Sequence, residues 1–209
     1  MKLQNYLKKN PKKYLIFDFD ETIAHLILPW SIYKSKGAKI LGKYDEKLCE
    51  QLAKDLNTLQ SENAFVKKYG DKIKAEISDW SEEFETKHLE EAKRNPEIIN
   101  FIKKEHGNHQ FFIWSSNTSK AIRPVLEKEE ILDKFELLVT KEIVRLIKPE
   151  IDGFELIQKQ ISRINKKEAE NLDNYLMIGN SILSDGGAAK NSGIDFFPIE
   201  YFGKASTTY

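Results

Sequence analysis

Short runs of apolar residues recur along this chain, and each is bounded by polar or turn-forming residues. Runs of this length and composition are typical of strands that are buried on both faces of a parallel sheet. The predicted strands are Tyr14–Phe17, Phe111–Trp114, Phe135–Val139, Tyr175–Ile178 and Ile194–Pro198.

Helical patterns lie between the later strands. They cover Ser119–Lys128, Gly153–Ile164 and Asp185–Asn191, and Gly193 provides a stop for the last of them. Strands that alternate with helices are joined by right-handed crossovers and pair in parallel. The pattern therefore predicts an α/β fold with a doubly wound, Rossmann-like parallel sheet.

The span 24–95 breaks this alternation, because it shows apolar residues at three- and four-residue spacing and no clear strand. The apolar stripes are Leu48, Leu52, Leu56, Leu59, Phe65 and Tyr69, and then Ile73, Ile77, Trp80 and Phe84. They predict an inserted α-helical bundle at 24–95, with the α/β core formed by 1–23 and 96–209. An insert directly after the first strand lies above the carboxyl ends of the strands, where such sheets bind ligands, so we expect a lid.

Composition narrows the class of protein. The 209 residues are 40% hydrophobic, and 33 Lys and Arg balance 33 Asp and Glu, which gives no general attraction to nucleic acid or to an anionic membrane. No apolar run approaches the roughly 20 residues that span a bilayer, and the first residues lack the apolar segment of a secretory signal. Cys49 is the single cysteine. We expect a cytoplasmic monomer or small homo-oligomer with neither nucleic acid nor membrane as partner.

Two carboxylates, Asp18 and Asp20, directly follow the first predicted strand. Residues i and i+2 share one side of an extended chain, so both side chains face the same space. Turn chemistry explains an isolated pair of this kind equally well. Paired carboxylates also suit Mg²⁺, which bridges carboxylate to phosphate, and an Asp can attack phosphorus as a nucleophile.

Other strand ends supply complementary groups. Ser116 and Asn117 follow the second strand, Lys148 precedes a helix, and Asn180 and Asp185 follow the fourth strand. Each signal is ambiguous alone, because Ser, Asn and Asp also cap helices and most lysines are solvated. Their order, with each group after a separate strand, favours one shared site.

This order resembles the haloacid dehalogenase superfamily over nearly the whole chain, from about residue 13 to 202. The residues that carry the resemblance are Asp18-Phe19-Asp20-Glu21-Thr22 for a D-x-D-x-T motif, Ser116-Asn117, Lys148-Pro149, and Gly179-Asn180 with Asp185. The insert at 24–95 resembles the C1 cap of that superfamily.

The resemblance implies a Mg²⁺-dependent phosphatase that acts on a small phosphorylated metabolite. It implies that Asp18 is the nucleophile and that Asp20 is the general acid and then the base. It also assigns phosphate binding to Ser116 and Asn117, together with Thr22 of the first motif. Lys148 would hold both the phosphoryl group and the nucleophile. Mg²⁺ would be bound by Asp18, the backbone carbonyl of Asp20, Asn180 and Asp185. A carbon–halogen substrate is disfavoured, because a halide leaving group needs no proton from Asp20.

One position departs from the pattern, since Asn180 stands where the superfamily usually has Asp. An amide offers an oxygen but no charge, so metal affinity should fall and Asp185 should carry more of the ligation. One alternative is therefore a catalytically weakened binding or regulatory protein. A separate alternative, which does not depend on Asn180, is a phosphotransferase or pyrophosphatase of the same superfamily.

Residues just after the first motif are candidates for contact with the leaving side of the substrate. These are Trp30, Tyr33, Lys34 and Lys36. His25 suits either substrate contact or packing at the hinge of the cap.

Overall fold

A five-stranded parallel sheet forms the centre of the molecule, with strand order β5-β4-β1-β6-β7. The computed structural model describes residues 2–55 and 58–200, and the side chains of 53–55 and 58–60 are left undescribed. Leu56 and the side chain of Leu59, both part of a predicted stripe, therefore lie outside the described residues. The central strands are β1 Tyr14–Phe17, β4 Gln110–Trp114, β5 Phe135–Val139, β6 Tyr175–Gly179 and β7 Asp195–Pro198.

Helices follow most of these strands and fill the insert. They are α1 Lys2–Lys9, α2 Trp30–Gly42, α3 Glu46–Asp55, α4 Thr58–Tyr69, α5 Asp71–His88, α6 Pro96–Glu105, α7 Ser119–Lys128, α8 Asp152–Ser162, α9 Lys166–Glu170 and α10 Gly187–Ser192. In the ranges that the structure describes, no helix is both long and apolar enough to cross a membrane.

Alternation along β1 sends its side chains to two separate cores. Leu15 and Phe17 pack in one core with residues of α6 and α7, whereas Tyr14 and Ile16 pack in the other with residues of α8 and α10. All four side chains are almost fully buried. Burial on both faces explains why the strand is a continuous apolar run, and the doubly wound α/β fold predicted from such runs is confirmed.

A two-stranded antiparallel ribbon was not predicted. It pairs β2 Ala24–Ile27 with β3 Glu91–Arg94, in the span where the sequence predicts only helices. The composition of β3, Glu-Ala-Lys-Arg, is that of a helix, and its side chains are largely exposed. The ribbon forms because the two connections between core and insert run side by side, a long-range pairing that no local pattern records.

Helices α2 to α5 lie between β2 and β3 and form the cap. Phe65, Ile73 and Ile77 pack in a cluster of their own, while Tyr33 and Phe84 join the core on one face of the central sheet. The cap therefore shares a hydrophobic core with the sheet.

Candidate active site

The carboxyl ends of the central strands meet beneath the cap at a cavity of about 280 Å³. Parallel register places Phe17 beside Ile113 and Ile178, so the residues that follow each strand emerge at the same level. The backbone N–H of Asp18 continues this pairing by donating to the carbonyl of Ile178 at 2.8 Å. The predicted site residues that line the cavity are Asp18, Asp20, Ser116, Asn117, Lys148, Asn180 and Asp185.

Lys148 joins two carboxylates at the floor of this cavity. Its Nζ donates to Asp18 Oδ1 at 2.6 Å and to Asp185 Oδ1 at 2.5 Å. All three side chains are nearly inaccessible to solvent. A single ammonium thus joins Asp18 to Asp185, although more than a hundred positions of the chain separate these two residues.

The electrostatics of this trio follow from burial. Burial, reinforced by the charge of the nearby Asp185, raises the pKa of Asp18 to about 7, although Lys148 opposes both effects. Burial alone lowers the pKa of Lys148, but the two carboxylates outweigh it and hold that pKa above its ordinary value. The lysine therefore stays charged, and additional positive charge near Asp18 would favour its ionised form.

Asp20 lies at the rim of the same cavity. Its Oδ1 accepts a hydrogen bond from the backbone N–H of Leu26 at 2.8 Å and lies 3.5 Å from His25 Nδ1. Burial raises the pKa of Asp20 to about 7, and the charges of Glu21 and Glu85 act in the same direction. A carboxyl group of this kind can hold a proton near neutral pH and release it, as a general acid must.

Thr22 does not lie where phosphate binding requires it. Its side chain is fully buried and does not line the cavity, and its Oγ1 lies 3.5 Å from Asp18 Oδ2. The turn after β1 folds back so that Thr22 supports Asp18 from behind. Its predicted role in binding substrate is therefore corrected to positioning the carboxylate.

The loop after β4 presents one uncommitted hydroxyl to the cavity. Ser116 Oγ is buried and has no hydrogen-bond partner within the described part of the chain. Asn117, in contrast, is held by the protein, because its Oδ1 accepts from Ser115 Oγ at 3.2 Å and its Nδ2 donates to Glu85 Oε1 at 3.0 Å. Ser116 is thus the group with free capacity for a phosphate oxygen, and Asn117 mainly shapes the loop.

Asp185 is fixed by its backbone surroundings as well as by Lys148. Its Oδ2 accepts the N–H of Ser181 at 3.0 Å, and it lies against Gly179 so closely that a Cβ there would be 2.3 Å from Oδ2. Only glycine permits this approach.

Asn180 has an acidic partner that the sequence did not indicate. Its Nδ2 donates to Glu21 Oε2 at 2.6 Å, and both side chains line the cavity. Glu21 has a φ of 58°, which is uncommon for a residue with a side chain.

The chemistry of these donors fits a hard cation. Within the described ranges, no three His, Cys, Asp or Glu side chains converge as a metal-binding cluster. The cavity does combine the carboxylates of Asp18 and Asp185 with the amide of Asn180. Mg²⁺ is usually held by one or two carboxylates together with waters and substrate phosphate, so the set suits Mg²⁺ and not a softer metal.

The cap closes the other side of the cavity. Three of the four candidates for substrate contact, Trp30, Tyr33 and Lys34 of α2, line the cavity, whereas Lys36 does not. Lys36 Nζ instead lies 5.0 Å from the ring centre of Trp80, in a cation–π contact. Lys36 is thus removed from the substrate candidates. His25 likewise does not line the cavity and lies on β2.

Two buried charged residues of the site were not predicted. Glu85 of α5 accepts from the backbone N–H of Thr118 at 2.8 Å and also from the hydroxyl of Thr118. Lys141, just after β5, donates to Tyr33 Oη at 2.6 Å and pairs with Glu62 Oε2 at 2.7 Å. Lys141 lies just after a strand, as several other site residues do. This position in the sequence could have identified it as a candidate site residue.

A comparison with known protein families finds a match to this chain. Residues 15–199 match the sequence profile described as haloacid dehalogenase-like hydrolase. No match was found among curated proteins.

Solved structures share the fold at low sequence identity. A HAD phosphatase from Thermococcus onnurineus is 19% identical, with a TM-score of 0.56 over 94% of this chain and 90% of that one. A protein from Bacillus subtilis assigned as the HAD-hydrolase YfnB, solved with magnesium, is 16% identical with a TM-score of 0.53 over 94% and 90%. A protein from Lactobacillus plantarum assigned as a phosphoglycolate phosphatase is 14% identical with a TM-score of 0.57 over 88% and 84%.

Proposed function

The chain belongs to the haloacid dehalogenase-like hydrolase family, and we propose that it is a Mg²⁺-dependent phosphatase acting on a small phosphorylated metabolite. The observation that carries the proposal is the bridge from Lys148 to both Asp18 and Asp185 in the cavity beneath the cap, which Asp20 also lines. This arrangement combines a nucleophile, a fixed positive charge and a proton donor, which are the groups that phosphoryl transfer requires.

In the first step, a carboxylate oxygen of Asp18 forms a bond to phosphorus while the bond from phosphorus to the leaving oxygen breaks. Asp20 gives its proton to that oxygen, so the product leaves as a neutral alcohol. In the second step, Asp20 accepts a proton from water, and the resulting hydroxide attacks phosphorus. The bond from phosphorus to the Asp18 oxygen breaks as the hydroxide attacks, so inorganic phosphate leaves and both carboxyl groups return to their starting states.

Two groups of the core are placed to bind the transferring phosphoryl group. The Ser116 hydroxyl, which is buried without a partner among the described residues, offers a hydrogen bond to a phosphate oxygen. Lys148 offers positive charge beside Asp18. Fixed donors of this kind stabilise the charge that spreads over the phosphoryl oxygens during transfer.

Asp18, the backbone carbonyl of Asp20, Asn180 and Asp185 would hold Mg²⁺. When bound, the cation supplies charge that offsets the repulsion between an anionic nucleophile and an anionic phosphate. The magnesium-bound fold relative from Bacillus subtilis supports this assignment.

The cap limits the size of the substrate. A cavity of about 280 Å³ lies just below the range of roughly 300–1,000 Å³ that is usual for small-molecule sites, and Trp30 and Tyr33 of the cap line it. The exposed Lys34 at the edge offers a contact for a second polar group of the substrate. A compact phosphate ester fits this space better than a large nucleotide.

The test is turnover of p-nitrophenyl phosphate and of a panel of small phosphorylated metabolites, with Mg²⁺ and with EDTA. Mg²⁺-dependent release of phosphate that Asp18→Asn abolishes is the expected result. Faster transfer to an added alcohol than to water would favour the phosphotransferase alternative.

The second candidate function is that of a non-catalytic binding protein. It is favoured by the presence of Asn at position 180, because Asn180 brings no negative charge to the metal site. Folded protein that binds a phosphorylated metabolite without turning it over, at saturating Mg²⁺, would establish that alternative.

A further inference from the structure

The backbone of Glu21 adopts a conformation that is unfavourable for a residue with a side chain. Its φ of 58° is in the left-handed region, where a Cβ is disfavoured and glycine is the usual occupant. Such a residue persists when its side chain contributes something that glycine lacks. Glu21 lines the cavity of the candidate active site.

The principal contact of that carboxylate is Asn180. The distance from Asn180 Nδ2 to Glu21 Oε2 is 2.6 Å, at the short end for a hydrogen bond to a charged acceptor. The other oxygen, Oε1, lies 3.8 Å from His25 Nδ1, which is a much weaker approach. The contact joins the turn after β1 to the turn after β6, the two segments that would hold the metal.

This bond decides which end of the Asn180 amide faces a cation. An amide has a donor nitrogen at one end and an acceptor oxygen at the other. Because Glu21 holds the nitrogen, the flipped arrangement would place Oδ1 against a carboxylate and is disfavoured. Within the described residues, no hydrogen bond reaches Asn180 Oδ1, so that oxygen keeps its capacity for a metal ligand.

We propose that Glu21 is the positioning residue of the metal site: it orients the carbonyl oxygen of Asn180 toward Mg²⁺ and supplies the negative charge that Asn180 lacks. This inference rests on the proposed function, since it concerns the same metal. Partners that orient metal ligands commonly change metal affinity by about 10- to 100-fold when they are removed. Glu21 and Asn180 together thus replace a single carboxylate ligand.

The test measures Mg²⁺ affinity by isothermal titration calorimetry in the absence of substrate. Glu21→Gln keeps an acceptor for Asn180 but removes the charge, and we expect it to weaken binding about 10- to 100-fold. Asn180→Asp in the same protein returns the charge, and the double variant should recover wild-type affinity or exceed it. Glu21→Gly, which suits the left-handed backbone, should lose affinity while remaining folded.

Glu130 provides a matched control for the backbone, because it has a φ of 57° and lies at the surface. Glu130→Gly should leave Mg²⁺ affinity unchanged. Wild-type affinity in Glu21→Gln would overturn the inference while leaving the proposed function intact, and so would failure of Asn180→Asp to restore binding. Absence of Mg²⁺ binding in the folded wild-type protein would instead overturn the proposed function, and the inference with it.

Discussion

Lys148 Nζ lies 2.6 Å from Asp18 Oδ1, although 130 positions of the chain separate the two residues. The contact is buried, and the same nitrogen also binds Asp185. A buried ammonium between two carboxylates leaves both of them uncompensated if it is removed. The catalytic arrangement and the stability of the fold therefore depend on the same atom.

Lys148→Met should cost about 3–5 kcal/mol of unfolding free energy, because it leaves buried carboxylates without their cation. It should also lower kcat/KM by about 100- to 1000-fold, since a preorganised charge beside the phosphoryl group is lost. Urea denaturation and steady-state kinetics measure the two effects.

Lys166 provides the control, because its pairing with Glu170 is exposed. Lys166→Met should change stability by less than about 0.5 kcal/mol. Equal losses of unfolding free energy in the two variants would show that the buried contacts of Lys148 stabilise the protein no more than an exposed ion pair does.

The pH dependence of kcat/KM should report the proton of Asp20. Burial raises its pKa to about 7, so its protonated fraction, and with it the general acid, declines as pH rises above that value. With an alkyl phosphate, kcat/KM should fall on the alkaline side, because the alkoxide needs a proton. With p-nitrophenyl phosphate the fall should be much smaller, since that leaving group departs as an anion.

Asp20→Asn is the reference for this profile. It should lower kcat/KM for the alkyl ester by about 100- to 10,000-fold and remove the alkaline decline. An identical decline for both esters, or one that persists in Asp20→Asn, would assign the proton to another group.

Glu85 should couple the cap to the loop after β4. It is buried and accepts hydrogen bonds from Asn117 and Thr118, which belong to the core. Glu85→Ala leaves these donors unsatisfied, and each hydrogen bond to a charged group contributes about 1.5–3 kcal/mol. We expect a clear loss of stability and a lower kcat/KM, measured by denaturation and by turnover.

Glu82 on the same helix is the matched control, because it forms a partly exposed pair with Lys120. Glu82→Ala should change stability by no more than about 1 kcal/mol and leave kcat/KM unaltered. Comparable losses of stability and of kcat/KM in both variants would mean that α5 is sensitive to any substitution. The hydrogen bonds of Glu85 would then not be the cause of its effect.

Gly179→Ala should move Asp185, because a Cβ there would lie 2.3 Å from Oδ2 of that residue. Mg²⁺ affinity and turnover should both fall. Gly153→Ala meets the ring of Trp114 in the core and should instead cost about 1–3 kcal/mol of stability by overpacking. Unchanged Mg²⁺ affinity in Gly179→Ala would contradict the role of Asp185 in the metal site.

The strands and the positions of the site were predictable for a common physical reason. Strands buried on both faces are continuous apolar runs. Polar residues that directly follow such a run lie at the edge of the sheet where the strands end. Asp18, Ser116 and Asn180 were found in this way. Because parallel strands end at the same edge of the sheet, the residues that follow different strands lie close together.

The contacts that were missed depend on long-range geometry. Glu85 and Lys141 are charged residues of the kind that sequence reasoning places in solvent. Both are nevertheless buried, because Asn117 and Thr118 donate hydrogen bonds to Glu85 and because Glu62 neutralises Lys141. Thr22 was misplaced because only the fold of the turn decides whether its side chain faces the cavity. The partnership of Glu21 with Asn180 joins segments 159 positions apart, which no spacing reveals.

The most direct test of the account is the covalent state of the protein during turnover. The protein is mixed with Mg²⁺ and p-nitrophenyl phosphate, whose leaving group needs no proton from Asp20. It is then quenched in acid, digested and analysed by mass spectrometry. The account predicts a phosphoryl group on Asp18, absent from Asp18→Asn and enriched in Asp20→Asn, where the base for the second step is missing. Phosphate on another residue, or turnover without any phosphorylated protein, would contradict it.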